Sequence, residues 1–237
     1  MKLAGAEVDK KVEKIGKVID YLRENGDAFT SSQKWQILQS LDNEYFEWGM
    51  HDHICLQVYD ELGLLPDSNN PYKVFSSLVD EKFNIKNKKV IEIGGGNIPR
   101  LGKRIADMQD KGTITVYDPN LYIKEGEEYP RLTLIKRRFS SITNVSSADV
   151  LIGLLPCGSS SLIVKSAIRY NKDFMIALCD EHNNLELFDE YEDTDSWIET
   201  FIKHTSIEIE KNKMGKLKVK HMKEIGEQYP IIYNDRG

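Results

Sequence analysis

Apolar residues recur at helical spacing over the first third of the chain. Val8, Val12, Ile15, Ile19 and Leu22 step by four and three and trace one stripe on a helix that Asn25-Gly26 would stop. A second helix is predicted to begin after Ser31 or Ser32 and to carry Trp35, Leu38 and Leu41. A third runs from Asp42 through Phe46, Met50, Ile54, Val58 and Leu62 and ends at Gly63. Pro66 marks a break. Asn70-Pro71 then has the form of an N-cap followed by proline at the first helical position, with Val74, Phe75, Leu78 and Val79 as the buried side of a fourth helix. On this pattern the first 88 residues are all helical.

After residue 88 short β-rich runs alternate with helical stretches, the pattern of a parallel sheet covered on both faces. Strands are predicted over 89–93, 113–117, 132–136, 149–154 and 174–178, with helices beginning at Pro99, near Asn120, near Ser140 and at Ser159 to Ser161. Ile207-Glu208-Ile209-Glu210 and Lys216-Leu217-Lys218-Val219-Lys220 both alternate with period two, joined by Asn212-Lys213-Met214-Gly215, and read as a hairpin in which Glu208 and Glu210 could face lysines. The predicted fold class is α/β: a doubly wound, mostly parallel, seven-stranded sheet with a terminal antiparallel hairpin, preceded by an all-helical N-terminal region.

The first strand leads directly into Glu92-Ile93-Gly94-Gly95-Gly96-Asn97-Ile98-Pro99, and a helix follows. Consecutive glycines between a strand and a helix allow positive φ angles and a close approach of backbone to a ligand. About twenty residues later the second strand ends in Tyr117-Asp118-Pro119-Asn120, where a carboxylate can accept both hydroxyl protons of a ribose. The bland alternative is a tight turn plus a loop aspartate that caps a helix. A dinucleotide fingerprint would need a third glycine where Pro99 stands, so an exposed pyrophosphate site is not well encoded.

The stretch Glu-Ile-Gly-Gly-Gly-Asn resembles the first motif of the Rossmann-like, class I S-adenosylmethionine-dependent methyltransferases, and the order of elements follows that family over about residues 71 to 222. The resemblance implies a helical cap over 1–70 and a methyltransferase domain over 71–237. It also implies S-adenosylmethionine as cofactor, with Glu92, Gly94, Gly95, Gly96, Phe139 and Pro156 lining it and Asp118 at its ribose. The segment from Ala148 to Cys157 resembles the family's fourth motif, whose end faces both cofactor and acceptor. Two positions depart from the pattern. Ile98 replaces the last glycine of the turn, and Arg138 stands where an acidic residue often binds the adenine amino group. The glycine turn also resembles that of aminopropyltransferases, but their aspartate near the end of strand four is replaced here by Leu155-Pro156-Cys157. A methyltransferase-like binding or regulatory protein without catalysis is the other alternative.

Ligands of such sheets sit outside the carboxyl ends of the strands, so the residues after strands four and five are candidates for the chemistry. Glu181 and His182 are the candidate acceptor contacts or general base, against the alternative of a solvated loop. Cys157 and Cys179 near His182, or His51 and His53, do not have metal-ligand spacing, and no metal is predicted. Tyr45, Trp48 and His51 share a helix face, as a packing stripe or an aromatic lid.

Composition adds three constraints. The chain of 237 residues is 40% apolar, enough for a core, and no window has the length of apolar sequence that a membrane span needs. Three cysteines and a start without a secretory apolar segment predict a reducing, cytoplasmic setting. The net charge of −6 argues against a nucleic-acid partner, because the basic clusters Lys136-Arg137-Arg138 and Lys216, Lys218 and Lys220 lack interleaved aromatics. That charge is local. Eight acidic residues and no Lys or Arg lie between Asp180 and Asp195, beside the predicted acceptor mouth. There they would attract a small cationic or amine-bearing substrate, unless they form only a solvated loop. A homo-oligomer is an open expectation, since the stripe of the first helix suits a second subunit as well as its own chain.

Overall fold

The computed structural model describes residues 16–18, 20–25, 28–30, 32–34, 36–37, 57, 60–63, 65–66, 70–123, 128–156, 158–179, 197–226 and 229–237. Four helices and seven strands with continuous placement follow the N-terminal region. They are α1 Pro71–Phe83, β1 Lys89–Ile93, α2 Arg100–Met108, β2 Thr113–Tyr117, β3 Leu132–Ile135, β4 Val150–Leu154, α3 Ser160–Tyr170, β5 Asp173–Ala177, α4 Trp197–Lys211, β6 Lys216–Lys220 and β7 Ile231–Asp235. The sheet order is β3-β2-β1-β4-β5-β7-β6. The pairs β3 with β2, β2 with β1, β1 with β4 and β4 with β5 are parallel, whereas β7 runs antiparallel to both β5 and β6.

Period two sorts the strand side chains between two apolar layers. Val90 of β1 packs with α1 and α2, and Ile91 and Ile93 pack on the other face with α3 and α4. Both layers are filled by fully buried residues, with Phe75 and Ile105 on one side and Phe174 and Phe201 on the other. Helix α1 starts as the sequence predicts. The Asn70 side chain accepts from the Lys73 amide and Pro71 occupies the first turn.

One predicted strand is a helix. Residues 207–210 belong to α4, whose buried Trp197, Phe201, Thr205 and Ile209 step by four. Four alternating residues are too few to separate the two periods, and the longer helical stripe prevails. The Asn212-Lys213-Met214-Gly215 segment links α4 to β6 instead of forming a hairpin, with Gly215 at φ +91°. Glu208 pairs along the helix with Lys211 at 3.3 Å rather than across a sheet. The antiparallel partner of β6 is β7, whose run Ile-Ile-Tyr-Asn-Asp was not predicted. The helices expected near Asn120 and Ser140 are also absent among the described residues, where turns carry the chain. No helix of the described residues is long and apolar enough to cross a membrane.

Pieces of the N-terminal region lie against the sheet domain. The described parts are helical up to Glu24 and again from Ser32, and Thr30 and Gln33 form a reciprocal capping box. Tyr122, after β2, donates to Asp20 at 2.9 Å. Asp60, 5% exposed, binds Arg100 and Arg104 of α2, both at 2.6 Å, and Glu61 pairs with Arg23, Arg100 and Lys103. Burial alone would raise the Asp60 pKa, but hydrogen bonds from Arg104 and Arg100 outweigh it and hold the carboxyl below its ordinary value.

Candidate functional site

A cavity of about 670 Å³ opens at the carboxyl ends of β1, β2 and β4. That is the size of a small-molecule site. Glu92, Gly94, Gly95, Gly96, Asp118, Phe139 and Pro156 all line it, so the seven residues assigned to a cofactor from the sequence stand together. Glu181 and His182 lie outside the described residues, as do the acidic run over 180–195, Cys55, Cys157, and residues 45, 48, 51 and 53.

The glycine turn is held from three sides. Gly94, at φ +80°, donates its amide to the Tyr117 carbonyl at 2.9 Å, which ties β1 to the end of β2. The Gly96 amide donates to Asp118 Oδ2 at 2.9 Å, and Asp118 Oδ1 accepts from the Asn120 amide at 2.7 Å. The Ile98 amide donates to Gln57 Oε1 at 3.1 Å, while Gln57 Nε2 donates to the Gly95 carbonyl at 3.0 Å. Three alternate amides of the turn are thus used within the protein rather than presented to a ligand.

The glycines are small for identifiable reasons. A Cβ on Gly94 would stand 2.8 Å from Cα of Pro156, and one on Gly96 would collide with Gln57. Gly102, in the first turn of α2, brings that helix against Val116 and the Glu92 carboxyl. It supplies the close helix-sheet contact that neither Ile98 nor Pro99 provides in the turn. A glycine three residues into a predicted helix was the available signal for it.

Glu92 forms the floor of the turn. It is 2% exposed, and its Oε2 makes no hydrogen bond. Burial, followed by the charge of Asp118, pushes its pKa up to about 8 against the lesser pull of the Gly102 amide. Burial likewise raises the pKa of Asp118 above its ordinary value, opposed by the Asn120 and Gly96 amides and by Arg138. Both acids therefore gain from a cationic or hydrogen-bonding ligand. Phe139 is buried and meets Tyr117 edge to face at 5.6 Å, forming the wall below Arg138.

Among the cavity residues that escaped the sequence reading, several come from outside the β1–β5 strand ends. Gln57 comes from the N-terminal region, Tyr72 from the first turn of α1, and Glu224 from the β6–β7 connection. Tyr72 had the place of an ordinary helix residue, and the β6–β7 connection was not recognised. Leu155, also in the wall, is held at φ +51°, a conformation that costs a leucine about 1 kcal/mol and often accompanies functional sites.

The residues fit S-adenosylmethionine on two counts. Asp118 lines the cavity beside the glycine turn, where its carboxyl can accept from a ribose diol, and the Glu92 oxygen left without a hydrogen bond among the described residues is a further buried acceptor on the same lining.

No family model and no curated protein matches the chain. Solved structures similar to it include a chain of the fibrillarin/Nop5p complex, 12% identical over 70% of this chain and 83% of that one, with a TM-score of 0.46. Human N-acetylserotonin methyltransferase in complex with S-adenosylmethionine is 14% identical, covering 89% and 68% of the two chains, with a TM-score of 0.44. Aeropyrum pernix fibrillarin with natively bound S-adenosylmethionine is 13% identical, covering 70% and 76%, with a TM-score of 0.39. The strand order of this chain and its glycine turn between β1 and α2 are those of a Rossmann-like, doubly wound α/β fold.

Proposed function

We propose that the protein is an S-adenosylmethionine-dependent methyltransferase acting on a small, amine-bearing acceptor, with residues 1–70 as a cap on a catalytic domain over 71–237. One observation carries this reading: the glycine turn spends its Gly94, Gly96 and Ile98 amides on Tyr117, Asp118 and Gln57. A pyrophosphate-binding turn leaves such amides free for the phosphates, so the cavity suits a nucleoside without them. Its floor and rim carry the carboxyl groups of Glu92 and Asp118, which offer hydrogen-bonding oxygens to a ligand there.

When bound, the cofactor supplies a methyl group on a sulfonium: an acceptor lone pair takes the carbon, the C–S electrons return to sulfur, and the acceptor proton passes to a base. In this reading Asp118 holds the ribose diol, Gly94 to Gly96 give the backbone approach, Glu92 faces the cationic end, and Phe139 and Pro156 exclude water. Glu181 and His182, which follow β5 in the chain, are the proposed proton acceptors. Much of the acceleration in such a transfer can come from positioning.

Calorimetric titration tests the cofactor. S-adenosylhomocysteine should bind saturably, NAD should not, and Asp118→Ala should weaken binding at least tenfold. Folded protein that ignores S-adenosylhomocysteine would overturn the proposal.

A further inference from the structure

The cavity has two chemically different ends. Toward β3 it is walled by Phe139 and Tyr117, which belong to the apolar layer under α3 and α4. At the other end Leu154, Leu155 and Ile225 belong to the layer under α1 and α2, together with Tyr72. In the proposed binding mode the nucleoside lies at Asp118 after β2 and the glycine turn after β1, and the next strand of the sheet is β4, whose end carries Leu154 and Leu155.

Two polar groups occupy that end without a use in the fold. Tyr72 is 7% exposed and lines the cavity, and among the described residues its hydroxyl makes no hydrogen bond. The ring is buried while the residue lines the cavity, so the phenol has an apolar body and a polar tip available to a ligand. Burial first, then the charges of Asp60 and Glu92, pushes its pKa well above the usual phenol range, so it remains a protonated hydroxyl. Glu224 reaches the same cavity from a chain position 152 residues later and is half-buried, with no ion pair among the described residues. A carboxyl group and a hydroxyl oxygen on the lining of one cavity, among apolar walls, suit a protonated amine, which offers up to three donors and a charge.

We infer that Tyr72 and Glu224 form the acceptor wall of the site and recognise an amine that binds protonated where the transferred methyl would point and gives one proton to the base before its lone pair takes the carbon. This rests on the methyltransferase reading and assigns its acceptor contacts. The pair is made by tertiary structure alone, from the first turn of α1 and the β6–β7 connection.

Sinefungin tests it without knowledge of the acceptor, because it carries a protonated amine in place of the sulfonium methyl. Its affinity is compared by calorimetry with that of S-adenosylhomocysteine, which lacks any group there. The intact protein should bind sinefungin at least tenfold more tightly. Tyr72→Phe and Glu224→Gln should each cut that ratio threefold or more while leaving the S-adenosylhomocysteine affinity within twofold, which also reports that the variants are folded. An unchanged ratio in both variants overturns the inference, as does a parallel loss of both ligands, which would place the residues on the cofactor instead. Intact protein that binds neither compound overturns the methyltransferase reading itself, an outcome distinct from either.

Discussion

Glu92 is buried under the glycine turn without an ion-pair partner among the described residues, and its charge state is set by that position. In the unfolded chain it releases its proton near the ordinary value of 4.5, whereas in the folded protein it keeps it up to about pH 8. Between those limits the folded state binds more protons, so this group makes stability fall as pH rises through the window. Glu92→Gln removes the titration and keeps the shape. Urea unfolding at pH 5, 6.5 and 8 should show a shallower decline for the variant, against a wild-type contribution of at most about 1.4 kcal/mol per pH unit. Parallel pH profiles would mean that the carboxyl is ionised when folded. The acidic residue before a glycine turn was readable in the sequence. Its protonation was not, because desolvation depends on α2 lying over it, with Gly102 admitting the carboxyl beneath the helix.

At the scale of elements, α4 shows how a local pattern misleads. Under a strand reading Ile207 and Ile209 share one face, whereas in a helix they point about 200° apart. The structure places Ile207 at 51% exposure and Ile209 at 0%. Ile209→Ala should therefore cost about 2–4 kcal/mol in chemical denaturation, and Ile207→Ala should fall within about 0.5 kcal/mol of wild type. Equal losses would restore the strand. The parallel strands β1 to β5 were readable to within a residue or two: β1, β4 and β5 are near-continuous apolar runs buried on both faces, and β2 and β3 are short β-branched or alternating runs. The partner of β6 was not, since pairing β7 with both β5 and β6 depends on contacts that no short window contains.

Over the whole molecule, the N-terminal region and the sheet are joined beside the cavity through Gln57 on the glycine turn and through Asp60 and Glu61 on α2. Asp60 is the buried hub of this joint, so Asp60→Ala leaves Arg100 and Arg104 without their shared carboxylate. It should destabilise the protein by about 3 kcal/mol, read as a lower urea midpoint. A loss under about 0.5 kcal/mol would show that the clamp is exposed and screened. The joint also explains what could be read from the chain. Helical stripes, the Asn70-Pro71 start, the strands of the parallel sheet, the glycine turn and Asp118 are all short-range features, written in periodicity and in the conformational demands of glycine and proline. Gln57 over the turn and Tyr72 on the same cavity as Glu224 required residues 38 and 152 positions apart to come together, and the raised pKa of Glu92 required burial to change its chemistry. Such encounters are set by how helices and strands pack, and packing is a property of the folded chain, not of any segment.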